Sequence, residues 1–124
     1  MLPFFRPAPV YVKVYLNAIS ITNLKTGETV HRTAAEPFSN THLVVANFGL
    51  AERLGREIIK ELGLSRRSLK TIVQQMKVYE DVLSEVEKRT LRDLCEQMGS
   101  KVVFIITNDK ALSNEEALQV LSEN

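Results

Sequence analysis

Residues 10–34 read VYVKVYLNAISITNLKTGETVHRTA, and this stretch decides the fold class. Over Val10–Leu16, aliphatic residues alternate with Tyr and Lys, which is the period of a β-strand with one apolar face. A break at Asn17-Ala18 and a turn at Lys25–Glu28 separate two further strand patterns, the last over Thr29–Ala34. Three successive strands joined by tight turns predict an antiparallel meander.

Helix and strand patterns alternate after the meander. Apolar residues spaced by three and four predict a first helix. These residues are Val44, Phe48, Ala51, Leu54, Ile58 and Leu62. Leu69–Val78 contains a fourth strand, and Lys101–Thr107 (KVVFIIT) is an apolar run typical of a strand buried on both faces. Two S-x-x-E capping boxes, beginning at Ser84 and Ser113, predict the starts of a second and a third helix.

The predicted elements therefore follow the order β-β-β-α-β-α-β-α, an α/β (α+β) arrangement with a mixed five-stranded sheet. This order is similar to that of the ribonuclease H-like fold, on which the actin and Hsp70 ATPases are built. We predict a single ribonuclease H-like, or actin-like, lobe over residues 10–124. Residues 1–9 are predicted to be an extended lead-in, because their three prolines oppose a helix.

The composition is that of one globular domain. The chain has 124 residues, of which 44% are hydrophobic and 25% charged, with a formal net charge of +1. These values exclude the fibrous and disordered classes, and they give no argument for nucleic acid. No apolar run approaches the roughly 20 residues of a membrane helix, and no signal-type apolar region opens the chain. We therefore expect a cytoplasmic protein without membrane insertion.

Charge is unevenly distributed along the chain. Up to Val78 there are 11 Lys and Arg against 5 Asp and Glu, and from Tyr79 onward there are 5 against 10. Such asymmetry is typical of a polar interaction surface or of head-to-tail self-association. Two solvated faces on one compact domain produce the same asymmetry, and this is the favoured interpretation.

Two-metal nuclease chemistry is the first activity that the predicted fold suggests. Nucleases of this fold hold two divalent ions on carboxylates from the first strand, the first helix and the fourth strand. The corresponding segments here offer Lys13, Glu52 and the neutral pair Gln74-Gln75. One carboxylate cannot hold two hard cations, so the sequence predicts neither a nuclease nor a metal site.

Nucleotide chemistry is also not expected. Actin-like ATPases need a D-x-G-T turn after the first strand, whose backbone N–H groups hold phosphate. The corresponding turn here is Leu16–Ile19 (LNAI), and the chain contains neither a Walker A motif nor G-x-G-x-x-G. His31 and His42 belong to no metal spacing, and Cys95 lies on the apolar face of its helix, as a core residue would. No catalytic residue, cofactor or metal ligand is predicted.

From Pro37 onward the sequence resembles the bacterial rod-shape actin, MreB. Leu43–Leu62 (LVVANFGLAERLGREIIKEL) is similar to the family's I-A-D-F-x-V-T-E-x-M-L stretch, and Ser84–Leu91 (SEVEKRTL) to its x-x-V-E-R-R-A-V signature. Lys101–Ile106 looks like the strand before the family's E-E-P-x-A-A loop, although Thr107–Asp109 replaces E-E-P here. The resemblance implies one lobe of an actin fold without the family's catalytic glutamate or ATP site.

A second resemblance is to the YjaA family of small enterobacterial proteins. Phe38–Glu52 (FSNTHLVVANFGLAE) is similar to the pattern F-S-N-x-x-L-x-x-A-N-F-x-x-A-E of that family. This resemblance implies fold and lineage and carries no chemistry.

These observations predict a non-catalytic protein-interaction module that binds a protein partner or itself, with no cofactor and no nucleic acid. The candidate interaction surface comprises Phe4, Phe5, Arg66, Arg67 and Lys70. The two phenylalanines either pack onto the domain or dock a partner. The three basic residues form either a solvated loop or a weak phosphate or RNA contact.

Two alternatives remain open. The first is a sensor of small molecules or anions that uses the helix N-termini near Ser84 or Ser113, where free N–H groups favour negative charge. The second is a residual hydrolase that uses Glu52, Asp81 and Asp109. A sensor would gain thermal stability when its ligand is present.

Overall fold

A computed structural model describes residues 6–76 and 82–123. The described elements, in chain order, are β1 (Ala8–Tyr15), β2 (Ala18–Asn23), β3 (Thr29–Thr33), α1 (Phe48–Glu61), β4 (Leu69–Gln75), α2 (Glu85–Gln97), β5 (Ser100–Ile106) and α3 (Asn114–Ser122). The predicted α/β class is confirmed, and the element order matches the prediction.

The five strands form one mixed sheet in the order β3-β2-β1-β4-β5. β1 pairs antiparallel with β2, and β2 pairs antiparallel with β3, so the predicted meander is present. β4 lies parallel to β1 with Val12 opposite Val73, and β5 lies parallel to β4 with Val73 opposite Ile105. The meander β1–β3 therefore forms one edge of the sheet, and the later strands β4 and β5 extend it to the other edge.

Helices cover both faces of the sheet. Val10, Val12 and Val14 of β1 join the larger core cluster, together with the buried residues of α1 and α2. Tyr11 points to the opposite face, where it belongs to a second cluster with Ile72 and the buried residues of α3. Tyr11 is 1% exposed, so β1 is buried on both faces and not on one face as its alternation predicts.

The prediction that β5 is buried on both faces is wrong. β5 lies at the edge of the sheet, beyond β4, and residues 102–106 are only half-buried. Val103 and Ile105 pack against the larger core, while Phe104 and Ile106 pack against the smaller one. Each face of β5 packs against one core cluster, which accounts for its apolar residues on both faces. Neither face is fully covered.

The helix ends follow local sequence signals. Both predicted capping boxes are present, at Ser84 and at Ser113. α1 begins four residues after the predicted stripe starts, because the Asn47 side chain accepts the Leu50 N–H and caps the helix there. Val44 is nevertheless buried, in the loop before α1. Among the described helices, none combines the length and apolar character that a membrane span requires.

Candidate functional site

A groove of about 780 Å³ runs between α2 and the edge strand β5. Val86, Arg89 and Arg92 line it from the helix, and Val103 and Ile105 line it from the strand, with Thr107 just after the strand. The β4–α2–β5 connection places the helix beside the strand, because β4 and β5 are parallel and the helix that joins two parallel strands packs on a face of their sheet. The groove combines apolar and charged side chains on one surface.

The helix wall of the groove is firmly anchored. Leu91, Leu94 and Cys95 on the opposite face of α2 are completely buried in the larger core. At the N-terminus, Ser84 accepts the Glu87 N–H, and the Glu87 side chain accepts the Ser84 N–H. Substituting such a cap typically costs about 1 kcal/mol of stability. The core and the cap together hold the groove-facing residues in place.

Exposed apolar side chains lie at the start of α2. Val86, which lines the groove, is 75% exposed, and Val82, just before α2, is 86% exposed. Leu43 is a further exposed apolar residue, and it shares a smaller cleft of about 50 Å³ with Val86. Val86 therefore contributes exposed apolar surface to both the groove and the smaller cleft.

The charge of the groove is positive. Lys88, Arg89 and Arg92 line it, against the single carboxylate of Glu85. The Glu85 carboxylate lies 3.3 Å from the Lys88 ammonium, so these two charges largely offset each other. Arg89 and Arg92 are exposed, and within residues 6–76 and 82–123 neither has an ion-pair partner. The net positive charge of the groove therefore comes mainly from these two arginines.

The two edges of the sheet differ in protection. β3, at one edge, has five residues with only Val30 buried, and its Arg32 forms an ion pair with Glu61 of α1. β5, at the other edge, has seven residues with charge only at Lys101. Short, charged edges resist pairing with another chain, whereas long apolar edges favour it. In the part of the chain that the structure describes, no strand pairs with the outer edge of β5.

The turn after β1, where an actin-like ATPase would hold phosphate, is hydrogen-bonded here to the loop that precedes α1. The Asn17 backbone N–H donates to Ser39 Oγ at 2.9 Å, and the Ser39 N–H donates to Asn17 Oδ1 at 2.8 Å. Asn17 takes a positive φ of 54° at this turn. The reciprocal pair fixes the loop before α1, and Phe38, which precedes Ser39, is fully buried.

Gln74, on β4, is buried and fully engaged in internal hydrogen bonds. Its side-chain amide donates to the carbonyl oxygens of Asn108 and Lys110, at 2.8 and 3.1 Å. Its oxygen accepts from the Tyr11 hydroxyl, which in turn accepts the Leu112 N–H at 3.0 Å. Burial raises the pKa of Tyr11, which keeps this hydroxyl protonated as a donor. The network fastens the loop after β5 onto the sheet.

The remaining candidate chemical groups are dispersed. His31 and His42 are exposed, and His31 meets Tyr15 edge-on with ring centroids 5.6 Å apart. Cys95 is buried as predicted, and burial raises the pKa of its thiol to about 12. Glu52 forms an ion pair with Arg56, 3.3 Å away. The described residues include no group of three or more His, Cys, Asp or Glu side chains that could bind a metal ion.

The interaction surface predicted from the sequence is only partly described. Phe4 and Phe5 lie outside the described residues, as does Asp81. Arg66 is exposed, while the Arg67 guanidinium donates to the Arg6 carbonyl at 2.7 Å. On β4, the Lys70 ammonium donates to the carbonyl oxygen of Leu121, at the end of α3, at 2.6 Å. None of these basic residues lines the groove, and their role in binding stays a prediction.

The groove was not predicted from the sequence. It forms where Arg89 and Arg92 lie on one face of α2 beside the half-covered strand β5. Two features of the sequence point to it. The KVVFIIT run has a charge only at its first residue, which allows an apolar edge strand. Arg89 and Arg92 are three residues apart, which places them on one face of α2.

Comparison with known proteins gives a relative and no activity. No protein-family model matches the chain. A protein of Escherichia coli (strain K12) named "Uncharacterized protein YjaA" is 28% identical over 93 residues, which cover 68% of this chain and 72% of that protein. The predicted resemblance to YjaA is confirmed. Because the relative's name states no activity, any functional argument has to come from the site itself.

Proposed function

We propose that this chain is a non-catalytic protein-interaction module that binds an extended segment of a partner protein along β5. The observation that carries this proposal is the outer edge of β5, unpaired among the described residues and bordered by the groove on α2. A segment that pairs with this edge would become a sixth strand of the sheet. Its backbone would supply hydrogen bonds, and the groove would supply contacts to side chains.

The burial of β5 supports this mode of binding. Val102, Phe104 and Ile106 are half-buried, as are Val103 and Ile105 on the other face. An added strand would cover part of the remaining apolar surface on both faces of β5. Burial of apolar surface contributes about 25 cal/mol per Å², which makes a wide apolar edge a favourable place for strand addition.

Two positions where related folds perform chemistry are used here for internal hydrogen bonds, which supports a non-catalytic role. The turn at Asn17 is bonded to Ser39, and Gln74 is bonded to the loop after β5. We propose on the strand order and directions that the fold is a ribonuclease H-like or actin-like single lobe, related to the MreB type. We also propose, from the single cysteine of the chain, that the protein is cytoplasmic.

The anion-sensor alternative has no observation in its favour. Both helix N-termini that it would use carry capping boxes: the Glu87 and Glu116 carboxylates accept the backbone N–H of Ser84 and Ser113, and the two serine hydroxyls accept the N–H of Glu87 and Glu116. The hydrogen bonds from Ser113 lower the pKa of Glu116, so this carboxylate stays ionised and would repel an incoming anion.

Site-specific photo-crosslinking tests the proposed function. A photoreactive phenylalanine analogue replaces Val86 at the groove, and in a matched control it replaces Leu118, an exposed residue of α3. We expect the Val86 variant to form a discrete crosslink in cells, and the crosslinked partner, once purified, to bind the native chain directly. The crosslinked peptide of that partner should map to an extended segment.

The proposal fails if crosslinks form equally from both positions, or from neither. It also fails if the purified partner binds equally well to a chain with Val86→Asp, which places a charge at the mouth of the groove. Because Val86 is 75% exposed, this substitution leaves the core unchanged.

A further inference from the structure

We infer that the segment that binds along β5 is acidic and that its carboxylates pair with Arg89 and Arg92. This inference rests on the proposed function, because it names the chemistry of the partner at the same edge strand. The two arginines lie on the wall of the groove, next to the position an added strand would take.

The charge of the groove favours an acidic occupant. Glu85 and Lys88 lie 3.3 Å apart and largely neutralise each other. Arg89 and Arg92 remain, both exposed, and no described carboxylate pairs with either. Arginine presents a planar fork of donors that matches a carboxylate in two parallel hydrogen bonds. A neutral or basic segment would leave this capacity unused.

The spacing of the two arginines fits the repeat of a strand. Residues three apart in a helix rise by roughly 4.5 Å along its axis. Alternate residues of a strand that face the same side are roughly 6.8 Å apart. The long guanidinium side chains can span this difference, so Arg89 and Arg92 can each reach one of two alternate residues. The other alternate residues would face the α3 side, beside the half-buried Phe104. The expected segment therefore alternates acidic and apolar residues.

Charge also argues against a second copy of the chain as the occupant. Pairing β5 with β5 of another copy around a two-fold axis would place two α2 helices on the same face of one continuous sheet. That arrangement would bring two identical pairs of Arg89 and Arg92 to the same interface. Like charges that face one another across an interface oppose association.

The lining of the groove argues against single-stranded nucleic acid. Such ligands gain much of their affinity from bases stacked on aromatic side chains. Among the described lining residues the aromatic one is Phe104, and its side chain packs in the cluster under α3. An acidic polypeptide uses both the arginines and the edge of β5, whereas a nucleic acid would use only the arginines.

Binding of matched peptides tests the inference. A fluorescent peptide of about ten residues, long enough to span the edge strand, alternates Glu with Val and Thr. Two further peptides carry Gln or Lys in place of Glu. Fluorescence anisotropy is measured with the native chain, with the double variant Arg89→Glu/Arg92→Glu, and with Arg53→Glu. Arg53 is an exposed residue of α1 outside the groove, so it serves as the charge control.

We expect the Glu peptide to bind the native chain at least about tenfold more tightly than the Gln peptide, and the Lys peptide not to bind. The Arg89→Glu/Arg92→Glu variant should lose the preference for Glu, while Arg53→Glu should keep it. Raising the salt from about 50 to about 300 mM should weaken binding of the Glu peptide far more than that of the Gln peptide. Circular dichroism of the variants checks that they remain folded.

Different failures separate the two proposals. If the Glu and Gln peptides bind equally, the acidic preference is wrong and strand addition stands. If no peptide binds, both proposals fail. A dimer seen by sedimentation and abolished by Val102→Lys would make a second copy the occupant, and an RNA oligonucleotide that displaces the Glu peptide would make nucleic acid the ligand. Either result overturns the inference.

Discussion

At the scale of single residues, Cys95 shows how burial determines reactivity. Its side chain is completely buried in the larger core, and burial raises the pKa of its thiol to about 12 from an ordinary value of 9.0. The thiolate is the reactive form of cysteine, so this thiol is unreactive in the folded chain. The neutral thiol favours the folded state fully below about pH 9, and this contribution is lost as the pH rises through about 12.

We predict that a thiol reagent at about pH 8 labels Cys95 rapidly in urea and at least about a hundredfold more slowly in the folded chain. The physical reason is that labelling has to wait for an opening that exposes α2. The measurement is the rate of absorbance change with an aromatic disulfide reagent, and Cys95→Ala gives the background. Rapid labelling of the folded chain would show that α2 is not packed on the sheet as described.

The sequence alone predicted correctly that Cys95 is buried, but it did not predict that Arg89 and Arg92 line a groove. The position of Cys95 follows from the apolar stripe of its own helix, which is a local pattern. A charged residue off that stripe is exposed wherever the helix packs, and its role depends on what lies beside the helix. For Arg89 and Arg92 the neighbour is β5, whose placement depends on the pairing of distant strands.

At the scale of elements, the contact between α1 and α2 depends on Gly55. A Cβ atom at this position would lie 2.6 Å from the Met98 sulfur, closer than side-chain atoms approach one another. Gly49, in the first turn of the same helix, has only Asn47 Oδ1 near such an atom, at 3.8 Å. The two glycines therefore differ in function: one allows close packing of two helices, and the other is free to be replaced.

We predict that Gly49→Ala raises the free energy of unfolding by up to about 1 kcal/mol, because alanine stabilises a helix relative to glycine. Gly55→Ala gains the same helical preference, but the buried Met98 has to repack, which typically costs about 1–3 kcal/mol. Urea denaturation of both variants measures the difference. Equal stabilisation by the two substitutions would mean that α1 and α2 are farther apart than described.

The edge strand β5 shows the limit of prediction at this scale. The run KVVFIIT identifies a strand, but it does not identify the neighbours of that strand. Apolar residues on both faces are compatible with a central strand and with an edge strand between two partly open clusters. The structure has the second arrangement, because α3 packs over β1 and β4 and leaves β5 half-covered.

At the scale of the whole molecule, folding separates charge in a way that counting along the chain does not show. The half from Tyr79 onward is acidic by composition, yet the groove between α2 and β5 is basic. Three of the five basic side chains of this half, those of Lys88, Arg89 and Arg92, line the groove from α2. Two of its carboxylates, on Glu87 and Glu116, are used in capping boxes instead. The groove is therefore positively charged although the half of the chain that forms it, from Tyr79 onward, has a net negative charge.

The order of the elements could be read from local patterns, and so could the mixed sheet. The turns, caps and apolar periods of this chain each mark an element within a few residues. The pairing of β5 and the groove at the edge of the sheet could not be read, because both depend on contacts between distant segments. The account therefore depends most on the outer edge of β5.

Hydrogen exchange of the β5 backbone amides tests this edge directly, with and without the Glu peptide. In the free chain we predict that the amides of residues 101–106 that point away from β4 exchange quickly, while those bonded to β4 are protected. Saturating peptide should slow the outward amides by at least about tenfold and leave β3 unchanged. If the outward amides are already protected in the free chain, or stay fast when the peptide is bound, β5 is not the docking edge.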